Sequence, residues 1–158
     1  MSEVLDAIRS QIGIENTADS CSRDKCDVSL TDVPVERIIV DVDLAFPAHG
    51  WTGERCDFII FLMRGDGSLL TVPLELKSGG IDLTKAHRQL RRGAEFINQF
   101  GPINGSLTCR PILIHGRSLS PKEFKRLNRL KVKFRGIKLT IQTERCGRCR
   151  NLARVLAT

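Results

Sequence analysis

Two apolar runs dominate the pattern of the chain: residues 55–63 and residues 69–77, separated by Arg-Gly-Asp-Gly-Ser. Both are rich in β-branched and bulky residues, and the turn between them carries two glycines, so they predict an antiparallel hairpin centred on Asp66. The first run is apolar on both parities, Phe58, Ile60 and Leu62 on one and Ile59, Phe61 and Met63 on the other. Strands of that kind are covered on both faces. Upstream, the β-branched density of residues 37–45 predicts a third strand. A loop over 46–54 follows, with Pro47, Gly50 and Gly53, so the three strands form a meander.

Helical spacing of Val4, Leu5, Ile8 and Ile12 before Gly13 predicts a short helix over 2–12, and residues 14–34 read as polar and irregular. Leu83, Ala86, Leu90, Ala94 and Ile97 predict a long helix over 81–100, ended by Gly101-Pro102. Residues 107–115 read as a strand. Ser120-Pro121-Lys122-Glu123 opens a helix with a capping box and a proline in its first turn, running to about Leu130. A hairpin over 131–134 and 137–143, turning at Arg135-Gly136, and a last helical turn complete the chain. The expected fold is therefore α/β (α+β): helix, three-strand meander, helix and strand in a mixed sheet, then a C-terminal helix and hairpin. The strand–helix–strand step over 69–115 predicts a right-handed parallel crossover.

At 158 residues the chain is long enough for one domain with an ordinary core. It has no apolar run long enough to span a membrane, and its first residues lack the layout of a signal peptide. A cytoplasmic location is expected, with the six cysteines reduced or metal-bound. The net charge of +7 is unevenly spread. Residues 1–80 hold 7 Lys/Arg against 14 Asp/Glu, and residues 81–158 hold 18 against 4. An acidic half able to hold metal, joined to a basic half, points to a polyanionic partner. The bland alternative is a solvated basic surface.

Within the hairpin, Asp57 and Glu75 are equally far from the turn, so pairing sets them opposite each other. Directly opposed like charges are destabilising, and a divalent cation between them is one remedy. Lys77 projects from the same strand face as Glu75. Pro73 lies inside the second run, where it cannot donate to a ladder; it either faces a non-bonded position or marks a bulge that would shift this register. The alternative for the three residues is a plain ion pair on a sheet face.

Asp57, the Glu75-Leu76-Lys77 triplet on the next strand and a following helix with Gln89 resemble the PD-(D/E)xK nuclease superfamily, in particular its small stand-alone bacterial members. The likeness covers about residues 36–115, which leaves 116–158 as a basic extension. Cys56 stands where the motif's proline would be, and the chain has no tyrosine to complete the Gln-x-x-x-Tyr variant. The resemblance implies a restriction-endonuclease-like core and a metal-dependent endonuclease acting on DNA in restriction, phage defence or repair. It implies Mg²⁺ or Mn²⁺ held by Asp57, Glu75 and the backbone carbonyl of Leu76, with Lys77 and Gln89 completing the catalytic set. For a second metal, Glu36, Asp41, Asp43 and Glu54 are candidates. Small nucleases often work as homodimers or in larger complexes. The competing expectations are a non-catalytic nucleic-acid-binding subunit and a zinc-stabilised interaction module.

Lys85, Arg88, Arg91 and Arg92 on the long helix, and Lys122, Lys125, Arg126 and Arg129 on the later one, are candidate phosphate contacts or solvated faces. Cys146-x-x-Cys149 has zinc-ligand spacing, and Cys21 and Cys26 would supply the other two thiolates. An iron–sulfur cluster and free thiols are the alternatives. Cys56 and Cys109 read as core. His49, His87 and His115 read as structural, and Trp51 as a loop anchor rather than a base-stacking platform.

Overall fold

In the computed structural model, residues 2–23, 26–100, 106–146 and 152–157 are described. Among them the fold is mixed α+β. The elements run α1 (Glu3–Ile12), β1 (Thr17–Ala18), β2 (Cys21–Arg23), β3 (Cys26–Val28), β4 (Arg37–Asp41), α2 (Val42–Ala48), β5 (Phe58–Met63) and β6 (Leu69–Lys77). They continue as α3 (Leu83–Ile97), β7 (Leu107–Cys109), β8 (Ile112–His115), α4 (Pro121–Arg129), β9 (Val132–Phe134), β10 (Ile137–Leu139), β11 (Gln142–Arg145) and α5 (Leu152–Leu156).

The main sheet has the order β1-β4-β5-β6-β8-β11, with β7 also on β6. The β4–β5–β6 meander is antiparallel, while β7, β8 and β11 join in parallel. Alternation divides the strand residues between two cores. Ile38, Val40, Ile59, Phe61, Leu69 and Leu113 face α1, α2 and α3. Ile39, Phe58, Ile60, Leu62, Val72, Leu74, Leu76, Ile112 and Ile114 face the β2–β3 hairpin and α5. The sheet is covered on both sides, as the two-parity apolar pattern requires.

Four expectations need correction. The strand expected over 37–45 stops at Asp41. The Asp41 carboxylate accepts from the Asp43 amide and caps α2, which buries Val42, Ala45 and Phe46 one turn apart. Residues 14–34 are not irregular throughout, since they contain β1, β2 and β3. The strand expected over 107–115 breaks at Arg110-Pro111 into β7 and β8. The second strand of the C-terminal hairpin ends at Leu139, and the chain then crosses to add β11 to the main sheet. Ile141 is buried between them, so the apolar alternation runs on through the departure point and hides it.

That break explains Pro73. The Leu69 amide donates to Ser106, the Thr71 carbonyl accepts from Arg110 and the Lys77 carbonyl from Gly116. The odd residues of β6 thus direct their backbone groups toward β7 and β8. The missing N–H of Pro73 falls opposite the gap between those two strands, and pairing with β5 continues through Ile59–Pro73 without a shift.

α3 crosses the sheet at Gly93. A Cβ there would lie 2.7 Å from Cys56 Sγ and 2.9 Å from Pro73 Cβ. Gly93→Ala should therefore lower stability by about 1–3 kcal/mol despite alanine's better helix propensity, as read by chemical denaturation. A more stable variant would show that α3 can lift off Pro73 freely.

Candidate active site

The β5–β6 ladder ends at Phe58–Leu74, and Asp57 and Glu75 are the next residues on either side. Here the backbone departs from simple pairing. The Asp57 amide donates to the Leu74 carbonyl at 3.1 Å, and Asp57 Oδ2 accepts from the Leu76 amide at 2.8 Å. One carboxylate oxygen thus takes over the role of a strand carbonyl and fixes the side chain against β6. The Leu76 carbonyl lies beyond the last ladder pair on the same edge.

Asp57, Glu75 and Lys77 share the α3 face of the sheet. Glu75 is 1% exposed, and the Lys77 ammonium lies 2.7 Å from its Oε2. Burial pushes the Glu75 carboxyl up to about 8, and the adjacent Asp57 carboxylate pushes it the same way, against the pull of Lys77. Glu75 Oε1 is buried with no hydrogen-bond partner. A buried carboxylate oxygen left unmatched is costly, and a cation satisfies it. The two carboxylates and the Leu76 carbonyl therefore fit a hard divalent ion, although no group of three His, Cys, Asp or Glu side chains among the described residues is arranged to hold one.

Gln89 sits over this cluster for geometric reasons. α3 returns antiparallel to β6, and Gly93 rests on Pro73. Four residues back along a helix is about 6 Å, and two residues on along a strand is about 6.6 Å. Gln89 is thereby placed above Glu75, and its Oε1 too is buried without a partner.

Sequence reasoning missed Arg23. From β2 it reaches round the end of β5, stacks its guanidinium over Phe58 at 4.9 Å and places Nη2 3.1 Å from Asp41 and 3.2 Å from Asp43. Its Nε lies 3.7 Å from Asp57 Oδ1. Nothing in a lone arginine within a polar stretch signals this, because only the packing of the hairpin brings it here. It also occupies two candidates for a second metal. Asp41 and Asp43 are neutralised by Arg23, and Asp43 by Arg55 at 3.0 Å. Glu54 is held by Arg88 at 2.7 Å, and Glu36 adjoins Met63 at the opposite end of the β4–β5 ladder.

His115 pairs in register with Lys77 and is buried, with Nδ1 against the Arg117 carbonyl. His49 contacts the Ile12 carbonyl, and His87 that of Lys131. Trp51 packs on Phe46 and Phe96 beneath the Arg92 guanidinium, as an anchor does.

The basic candidates divide into two groups. On α3, Arg88 is bidentate to Glu54, while Arg91 and Arg92 pair with Glu95. Lys85 is exposed. On α4, Lys122, Lys125, Arg126 and Arg129 are all exposed, and Arg126 bonds Thr84.

Of the four cysteines expected as metal ligands, Cys21, Cys26 and Cys146 lie among the described residues. Cys26 and Cys146 are joined in a disulfide, their Cα atoms 5.3 Å apart, so neither is a free thiolate. Cys21 is buried and free, and Cys149 lies outside the described residues. The expectation of reduced or metal-bound cysteines fails for this pair, because β11 delivers Cys146 against the hairpin that carries Cys26. Cys56 and Cys109 are buried, as core residues should be. No helix among the described residues is long and apolar enough to cross a membrane.

No protein-family model matches the chain, and no curated protein matches it.

Proposed function

We propose that the protein is a Mg²⁺- or Mn²⁺-dependent endonuclease that hydrolyses DNA phosphodiester bonds, as its resemblance to the PD-(D/E)xK superfamily implies. The observation that carries this reading is the buried Glu75 carboxylate beside the half-buried Asp57, with Lys77 on the same sheet face. The order of α1, the β4–β6 meander, α3 and β8 agrees with the restriction-endonuclease-like core, with α2 inserted.

Asp57, Glu75 and the Leu76 carbonyl would hold the ion, which takes few protein carboxylates and keeps several waters. When bound, it supplies Lewis acidity toward water and the scissile phosphate. The protein's own groups do the rest. Lys77, tethered by Glu75 Oε2, offsets negative charge that builds at phosphorus. Gln89 offers its unpaired Oε1 as an acceptor that orients the attacking water. The Leu76 amide keeps Asp57 turned toward Glu75.

Plasmid and linear DNA incubated with Mg²⁺ or Mn²⁺ test the reading. Cleavage should require the ion and be lost in Asp57→Ala and Lys77→Ala. Equal residual cleavage in wild type and both variants would refute it. Arg23, lying among Asp41, Asp43 and Asp57, favours a second reading, a nucleic-acid-binding subunit without catalysis, and binding without cleavage in the same assay is its signature.

A further inference from the structure

The β9–β10 ribbon carries a feature that works against its own stability. Lys133 and Lys138 are partners across the two strands, and both side chains are exposed. The ribbon turns at Arg135-Gly136, with φ of 49° and 81°, the two-residue form in which both central residues are left-handed. In such a hairpin the pair beside the turn, Phe134–Ile137, is the hydrogen-bonded one, so Lys133–Lys138 is the non-bonded pair, whose side chains approach most closely. Like charges directly opposed there are destabilising. Neither lysine has an ion pair or hydrogen bond from its side chain among the described residues.

The ribbon is firmly seated, which prevents these lysines from relaxing by moving the strands. Val132 and Phe134 are buried in the core that α1, α2 and α3 share. The seam with α3 is pinned along its length by His87 to the Lys131 carbonyl and by Arg135 to Asn98. α4 precedes the ribbon and is tied to the start of α3 by Arg126 and Thr84. That end of α3 follows β6, and hence the candidate site. Lys122, Lys125 and Arg129 of α4 are likewise exposed and without side-chain partners among the described residues. The α3 arginines differ, since each already has a carboxylate.

We propose that the phosphate backbone of duplex DNA is held by the β9–β10 ribbon, through Lys133 and Lys138, with Lys122, Lys125 and Arg129 of α4 continuing the track, and not by the arginines of α3. The choice of DNA as the polyanion rests on the nuclease reading; the placement of the surface does not. An anion between the two lysines turns a repulsive pair into two attractive contacts, so the bound state recovers what the free ribbon loses.

Fluorescence anisotropy of the full chain with a labelled duplex, in EDTA so that no divalent ion is present, tests the proposal across a range of salt. Each phosphate contact contributes about 0.9 to the slope of log affinity against log salt. Lys133→Gln/Lys138→Gln should lower that slope by about 2 and weaken binding at least tenfold at roughly 0.1 M salt. Arg91→Gln should leave the slope nearly unchanged. The double variant should melt at the same temperature as wild type or above it, which a merely structural role for the lysines would not produce. An unchanged slope in the double variant, or a larger loss in Arg91→Gln, would overturn the proposal, as would tighter binding to an RNA duplex of the same sequence. Cleavage is read separately with Mg²⁺. Cleavage with an unaltered slope removes this surface and keeps the nuclease; the slope change without cleavage keeps the surface and removes the nuclease.

Discussion

Replacing Glu75 by glutamine should reduce Mg²⁺-dependent DNA cleavage by about 10²–10³-fold or more, the scale on which losing one charge-stabilising group acts, and at alkaline pH the same change should stabilise the metal-free protein. The two effects have one cause. Glu75 is 1% exposed, beside Asp57, and its carboxyl is pushed up to about 8. An unfolded glutamate releases its proton near 4.5. Between those values the native state binds a proton that the unfolded state does not, so stability falls as pH rises through that window. Above about pH 8 the full penalty is present, on the order of 5 kcal/mol at 1.36 kcal/mol per pK unit. Glutamine mimics the protonated acid at every pH. Wild type and variant should therefore melt together at about pH 4 and separate by roughly 10 °C at about pH 9, the variant being the more stable. Added Mg²⁺ should raise the wild-type melting temperature at about pH 8 by binding the native state alone, and leave the variant unmoved. Parallel melting of the two proteins at all pH values would show that the carboxylate is not disfavoured by its surroundings, and the argument for a cation there would lose its basis.

The centre of the site is legible in the sequence because a symmetric hairpin fixes register by arithmetic. Asp57 and Glu75 lie equally far from Asp66, and the ladder from Phe58–Leu74 to Met63–Leu69 keeps that register up to the pair. Lys77 follows from strand alternation, and Gln89 from a helix that must return over the sheet. Pro73 looked capable of breaking this register and does not, because the break between β7 and β8 absorbs its missing donor. Where contacts are long-range and side-chain-specific, the sequence is silent. Val42 to Ala45 has β-branched and apolar residues that suit a strand, yet the Asp41 cap and the burial of Phe46 make it helical. Arg23 reaches Asp57 across 34 positions of chain through a hairpin of three-residue strands, too short to leave a periodic signal. The pairing of Cys26 with Cys146 depends on β11 leaving the ribbon, which the apolar pattern conceals.

Opening the Cys26–Cys146 bond should have the second large effect, on the placement of Arg23 as well as on stability. The two cysteines are 120 positions apart. In the chain-entropy account, a loop of that length restrains the unfolded state by about 4–5 kcal/mol, with removal of native disulfides costing about 2–5 kcal/mol in practice. Dithiothreitol, oxidised as the two sulfurs are reduced, should lower the melting temperature by on the order of 10 °C, and Cys26→Ser/Cys146→Ser should match it without reductant. The site feels the change because Cys26 is the cross-strand partner of Arg23, and β2–β3 is a two-stranded sheet of three residues per strand. So short a hairpin is marginal by itself. With the bond open, Arg23 should spend less time among Asp41, Asp43 and Asp57. A cation that competes with its guanidinium for Asp57 should then bind more tightly. The rise in melting temperature on adding Mg²⁺ should accordingly be larger for the Cys26→Ser/Cys146→Ser protein than for the oxidised one. Arg23→Gln, with the bond intact, should reproduce the larger Mg²⁺ response without the 10 °C loss. If the serine variant melts within roughly 2 °C of the oxidised protein, Val28, Cys21 and the cation–π contact on Phe58 hold the hairpin without the bond. If its Mg²⁺ response is also unchanged, Arg23 does not compete for Asp57.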